Sequence, residues 1–445
     1  VFKLPLWYFR DEDLRTLQKI IAEANPSPRQ KQLLEPLLDA PQSTVSWPQA
    51  IRSYNSLHKE EKRVARESIR TQFRRLNDSL ENVYEKTWRE RNIVLKIGFS
   101  RDQGIFFYGL RLPVGIHRDD CFKAGDLVIP ARILTSDAYI FEREHFHVSW
   151  ADCENCQIRK RARCDIQARC QYRPPFDIQS IKDDWSHKCD TSLLKLWNGP
   201  LLKLQRIQID PTREITEREH INLDFCHAEY FDFLASNHQI HLEFLAGISD
   251  GIRAKYAPDL DSLRDLHLSL LANTPGLTTL IVHPTFLPKK GPVRYECLLV
   301  KRESRSQLAH YPGAWQTSTA GNIHPNKDLR NGLPDPFKAA ARESRRELAD
   351  LQIRASELAC LGLSIDLLTG QPEFLFYAET NQPLEQIVHS KESYEQKTIR
   401  VVKMPTELCS LLTYEEWAPS NAVCAILTME KCLTDFTRAK IKFCP

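Results

Sequence analysis

The chain has 445 residues, a formal net charge of +3, 27% charged and 42% hydrophobic residues. That length exceeds one ordinary core, so two or three domains are expected. The charge is too small to argue for nucleic acid by itself, and no apolar run approaches the ~18 residues of a membrane span.

From the N-terminus, residues 1–92 read as a helical region. "DEDLRTLQKIIAEA" has an acidic start and spaced apolar residues Leu14, Leu17, Ile20 and Ile21. A long charged helix is expected from Trp47 to about Arg91, with an apolar seam at Phe73, Leu76, Leu80 and Val83 that suits docking on the protein's own body. The first residues show no basic-then-apolar signal pattern and no starting Met, which reads as a trimmed chain. With 13 mostly isolated cysteines, this points to a reducing, cytoplasmic setting with buried thiols.

Residues 93–275 read as a mixed α/β region. Strands are expected at "NIVLKIGF", "GIFFYGLRL", "DLVIPARIL", "AYIFEREHFHVSW" and "LLKLQRIQI", and through "HINLDFCHAEYFDFLASN". A helix is expected over "DLDSLRDLHLSLLAN". Inside the region, "CENCQIRKRARCDIQARC" brings Cys153, Cys156, Cys164 and Cys170 within eighteen residues. Four thiolates so spaced suit a structural Zn²⁺ knuckle over 153–170; an iron–sulfur cluster and unligated or oxidised thiols are the other readings. Arg159, Lys160, Arg161, Arg163, Arg169 and Arg173 crowd the same segment. They offset the dianion of a four-thiolate zinc site, or they grip a nucleic-acid backbone. The aromatic run "HAEYFDFLASNH" reads as core.

After Pro275–Gly276 a third domain, 276–445, is expected. It opens with strands "LTTLIVH" and "RYECLLVKRE", joined by a hairpin-like "PTFLPKKGP". Asp335–Pro336 is a helix start, because Asp caps and Pro suits the first helical position. The helix is expected to run through "AAARESRRELADL". Wound at ~100° per residue, it sorts into three sectors. Phe337, Ala341, Ser344, Leu348 and Leu351 are mostly apolar; Glu343, Glu347 and Asp350 are acidic; Arg342, Arg345 and Arg346 are basic. Like charges four apart repel by a few tenths of a kcal/mol. Either a divalent cation offsets them, or Glu343 pairs with Arg346 on a solvated face.

The flanks, "AHYPGAWQTSTAGNIHP" before the helix and "GLSIDLLTGQPEFLFYAETN" after it, supply context. With "RESRRELAD" between them, residues 276–435 resemble the Nudix hydrolase superfamily. Arg342 and Glu343 match the Arg-Glu pair of that family's box, Glu347 matches the second of its paired glutamates, and Gly321 is similar to its opening glycine. The pattern departs at Arg346, where the first paired glutamate is usual, at Ala349 and at Asp350. The loop "NIHPNKDLRNGLPD" carries an insertion that puts Pro334 at the early glutamate position, with Asp328 and Asp335 nearby.

The resemblance implies an α/β/α sandwich as the last part of an α+β multidomain chain. It implies Mg²⁺ or Mn²⁺ held by Glu343 and Glu347, neutralising phosphate charge and activating a water. It further implies Arg342 orienting a carboxylate, Arg346 able to contact a phosphate, and Glu395 in a late loop as general base. Two functions stay open. One is a metal-dependent hydrolase of a nucleoside-diphosphate-linked or other diphosphate substrate. The other is a catalytically degenerate nucleotide-sensing protein whose zinc and basic module binds a partner or nucleic acid. Three carboxylates around one metal mark the first, and Arg346 filling the metal position marks the second.

Overall fold

The computed structural model describes residues 26, 30, 75 and 116, the segments 93–100 and 104–111, and most of 120–433. Within that last span 125–126, 134–140, 152–169, 191–196, 210–220, 247, 249, 259–262, 286–293, 303–310, 349–350 and 388–395 lie outside the description. The helices expected over residues 1–92 fall almost wholly outside it too.

The chain divides into two compact units: Val1–His117 with Ser410–Glu416, and Arg118–Cys409 with Trp417–Pro445. In the first unit, β1 (Ile93–Ser100) and β2 (Gly104–Arg111) form an antiparallel pair in unbroken register from Ile93↔Arg111 to Ser100↔Gly104.

The second unit is mixed α+β with several sheets. Near its start lie β3 (Phe122–Ala124), β4 (Leu127–Ile129) and β5 (Ala131–Ile133). A three-stranded sheet follows, in which β6 (Phe146–Trp150) runs parallel to β8 (Ile221–Glu229), and β7 (Pro200–Ile209) antiparallel to it. Between β6 and β7 lies α1 (Phe176–Asp190). The strand expected to continue through the aromatic run stops at Glu229. There the chain turns into α2 (Tyr230–Phe233), a π-helical turn (Leu234–His238) and α3 (Gln239–Ala246), followed by α4 (Ile252–Tyr256). The turn is set locally, since Asp232 accepts a hydrogen bond from the Glu229 N–H at 2.9 Å. Phe231 and Phe233 are core residues.

The helix expected from residue 259 is, among the described residues, only a 3₁₀ segment at Leu263–Leu268. Leu266, Leu271 and Ala272 are buried there while Leu268 and Leu270 are exposed. Those apolar positions serve no single helical stripe.

The main sheet has eight strands: β5, β9 (Gly276–Thr285), β10 (Arg294–Arg302), β11 (Trp315–Gln316), β12 (Thr319–Asn322), β15 (Leu358–Asp366), β16 (Pro372–Glu379) and β17 (Gln396–Met404). The pairing β9–β16 is parallel, and the others are antiparallel. Strand β5, from the region ahead of residue 275, forms one edge by pairing with β15. Along one side β9 pairs first with β12 and then with β10. Ser318 bridges this change of partner, accepting from the Ile281 N–H at 2.8 Å and donating to the Leu298 carbonyl at 2.6 Å. Between β12 and β15 lie a small hairpin, β13 (Leu329–Arg330) with β14 (Leu333–Pro334), and helix α5 (Pro336–Glu347). The chain then adds α6 (Thr406–Tyr414) and α7 (Pro419–Leu433).

Helices α5 and α7 cover opposite faces of this sheet. Phe337 of α5 packs edge-on against Phe376 of β16, with ring centroids 5.0 Å apart. Ser420 of α7 bonds Ser364 at 2.8 Å, and Ser364 lies across from Glu373, which points away from the Phe374–Phe376 side. The core is therefore a helix–sheet–helix stack. No helix among the described residues is long and apolar enough to cross a membrane.

Candidate functional site

Helix α5 starts where its sequence says it should. Asp335 accepts from the Lys338 N–H at 3.1 Å and Pro336 takes the first position. Phe337, Ala340, Ala341 and Ser344 are buried against the sheet. The helix ends sooner than expected: Leu348 has extended backbone (φ −116°, ψ 104°), and the chain leaves so that Leu348, Leu351 and Ile353 are all buried.

Glu343 and Glu347 sit one turn apart on this helix, and neither is solvated: they are 6% and 8% exposed. Two buried carboxylates this close need compensation, because ionised groups out of water are costly unless paired and hydrogen-bonded. Arg346 supplies it. Its Nε donates to Glu343 Oε2 at 2.5 Å and its Nη2 to Glu347 Oε1 at 3.2 Å, so one guanidinium spans both. The expected Glu343–Arg346 pair exists, but on a covered face.

The remaining oxygens are also engaged. Arg342 Nη1 donates to Glu343 Oε1 at 2.5 Å, and the Ala320 N–H donates to Glu347 Oε2 at 3.0 Å. Arg342 is held in turn by the fully buried Asp328, through Nε and Nη2, both at 2.7 Å, and by the Asn322 carbonyl at 3.0 Å. Such a two-pronged pair fixes both groups in position. Asp328, Arg342, Glu343, Arg346 and Glu347 thus form one chain of alternating charge. Burial lowers the pKa of both arginines, but the opposing carboxylates outweigh it and leave both raised above the ordinary guanidinium value.

Gly321 lies in β12 directly beneath Glu343. A Cβ there would meet Glu343 Cδ at 2.5 Å and Oε1 at 3.0 Å. The absence of a side chain at 321 is what lets the carboxylate lie against the strand.

The structure thus brings Gly321, Arg342, Glu343, Arg346 and Glu347 together. Glu395 and Cys153, Cys156 and Cys164 lie outside the described residues. Cys170 is described and disulfide-bonded, and its carbonyl accepts from the His227 N–H at 2.7 Å. Asp328 had no motif to mark it: it lies fourteen residues from Arg342 in the inserted loop and reaches it only because that loop folds back. Ala320 contributes through its backbone, which no side-chain pattern reveals.

The family implied by the sequence holds a divalent ion on helix carboxylates. The residues as arranged do not fit one: all four oxygens of Glu343 and Glu347 already accept hydrogen bonds, three of them from guanidinium. Among the described residues no group of three or more His, Cys, Asp or Glu side chains is disposed around a common metal position. What the arrangement offers is a cation, Arg346, whose side chain is 41% exposed above a buried carboxylate pair.

No family model matches the chain, and no curated protein matches it. Among solved structures it is similar to a mutT/nudix family protein from Listeria innocua, at 18% identity and a TM-score of 0.27, over 37% of this chain and 96% of that one. At that identity and score the likeness carries no argument about activity.

Proposed function

We propose that the chain from residue 276 onward is a catalytically degenerate Nudix-like domain that binds a nucleotide-like or other diphosphate-bearing small molecule. In this reading Arg346 does with a guanidinium what a divalent ion does on the family's helix. The observation that carries it is the single guanidinium shared by Glu343 Oε2 and Glu347 Oε1. The half-exposed fork suits a diphosphate oxygen arriving from solvent, while Arg342, bound to Asp328 and Glu343, stays a positioning group.

The test is binding of ADP and inorganic pyrophosphate to the full chain, with and without Mg²⁺ or Mn²⁺, alongside a turnover screen. Expected are metal-independent binding, about tenfold weaker in Arg346→Gln, and no turnover. Arg346→Glu restores the family's carboxylate and should make thermal stability respond to Mn²⁺. Metal-dependent turnover lost in Glu347→Gln would overturn the degenerate reading.

That outcome would establish the second reading, a Mg²⁺- or Mn²⁺-dependent diphosphate hydrolase. The observation favouring it is exposure: the Arg346 side chain is 41% exposed against 23% for Arg342, so Arg346 is the guanidinium able to leave. Structural zinc at Cys153, Cys156 and Cys164, with the basic segment around it engaging a partner or nucleic acid, is proposed from the sequence alone; Cys170, disulfide-bonded in the structure, joins them as fourth ligand only once that bond is reduced. Metal analysis of the purified chain beside Cys153→Ser tests it.

A further inference from the structure

Away from the glutamates, at the other end of α5, a groove of about 190 Å³ opens between the 3₁₀ turn Arg143–His145, strand β6 and the β13–β14 hairpin. Its floor is apolar, including Phe146, Val148 and Phe337, and the rings of Phe146 and Phe337 pack 5.7 Å apart. Its walls carry two guanidiniums, Arg143 and Arg330.

Both arginines are placed by local structure. The turn bearing Arg143 is closed by the Glu142 N–H donating to His145 Nδ1 at 2.9 Å and the His145 N–H donating to the Glu142 carbonyl at 3.1 Å. The hairpin bearing Arg330 turns at Asn331–Gly332, both at positive φ (53° and 80°), the conformation a two-residue hairpin turn requires. Trp150 of β6 pins that turn, its indole N–H donating to the Gly332 carbonyl at 3.0 Å.

The charges in the groove do not balance. Asp335 is the carboxylate in the lining, and it is ion-paired to Arg143. Arg330 has no ion pair among the described residues, and Arg143 Nε is buried without a hydrogen-bond partner. Burial first, and then the charge of Arg330, lower the pKa of Arg143, while the nearby Glu144 opposes the shift. Two cations converging on a partly apolar groove with one carboxylate between them leave a place for an anion. Asp335 already supplies Arg143 with a carboxylate; what remains is one buried N–H and a whole guanidinium on separate elements, which a group with three charged oxygens can join.

We propose that this groove is a binding site for the phosphoryl group of a small molecule whose apolar or planar body lies on Phe146, Val148 and Phe337. The site shares no residue with the Glu343–Arg346–Glu347 cluster and does not rest on the function proposed for it.

The test is calorimetric titration of the full chain with phenyl phosphate, inorganic phosphate and benzoate. Phenyl phosphate should bind more tightly than either of the others, since it alone has both a phosphoryl group and a ring. Arg330→Gln, at an exposed position, should weaken it about tenfold, the loss of one charge-assisted contact. Val148→Trp, which fills the floor, should weaken phenyl phosphate more than inorganic phosphate. Arg354→Gln, at an exposed cation outside the groove lining, should leave all three titrations unchanged. No binding of phenyl phosphate, equal binding in Arg330→Gln, or a loss in Arg354→Gln matching that in Arg330→Gln would each overturn the proposal.

Discussion

Gly321→Ala is the sharpest probe of the carboxylate cluster. The added methyl would stand 2.5 Å from Glu343 Cδ and 3.0 Å from Oε1, where ordinary carbon contacts are about 3.5–4.0 Å. Glu343 must therefore retreat by about 1 Å, and two guanidiniums hold it in place, each at 2.5 Å. The strand is fixed as well, since Gly321 pairs with Leu277 of β9. Overpacking of this kind costs about 1–3 kcal/mol. Weakening one charge-assisted hydrogen bond adds about 1–2 kcal/mol, so a loss of about 2–5 kcal/mol is expected. The measurement is urea unfolding followed by tryptophan fluorescence, to which the buried Trp315 and Trp417 contribute. The decisive comparison is a double-mutant cycle with Glu343→Ala. On that background Gly321→Ala should cost under about 0.5 kcal/mol, because the obstructed side chain is gone. A cost below about 0.5 kcal/mol in the wild-type chain, or one that persists without Glu343, would refute the contact as its cause.

Two further outcomes follow from buried charge. Asp328→Asn removes the negative charge and one of the two acceptors that hold Arg342, and should cost about 3 kcal/mol in the same unfolding assay; a change within about 0.5 kcal/mol would mean that Glu343 alone suffices. His238 and His241 are held neutral by burial, which lowers them to about 4 and about 3, the charge of His238 adding to the effect on His241. Between those values and their unfolded value near 6.5, the unfolded chain binds more protons. Their contribution is therefore fully present above about pH 6.5 and drains away as pH falls through 4, about 3 kcal/mol from His238 alone. His238→Gln should flatten the fall in melting temperature between pH 7 and 4; an unchanged slope would count against this assignment.

The sequence by itself determined what depends on neighbours along the chain. Asp335 and Pro336 start α5, and the spacing of Phe337, Ala341 and Ser344 chooses its buried face, because capping and helical periodicity act within a few residues. The antiparallel β9–β10 pair was legible for the same reason. The helix expected from residue 259 was not, because Leu268 and Leu270 are apolar yet exposed, and composition does not say which leucines will find a core.

The meaning of Glu343 and Glu347 belonged to the tertiary structure. Whether two carboxylates one turn apart hold a metal or a guanidinium depends on what else reaches them. Here that set includes Ala320 from a neighbouring strand and Arg342, which is itself held by Asp328 from a loop folded back across the helix start. The same holds for the groove, where Arg143 and Arg330 meet across 187 residues of chain. Helical spacing is local geometry, but the neutralisation of a buried charge is settled by whichever distant groups the fold brings within about 3 Å of it.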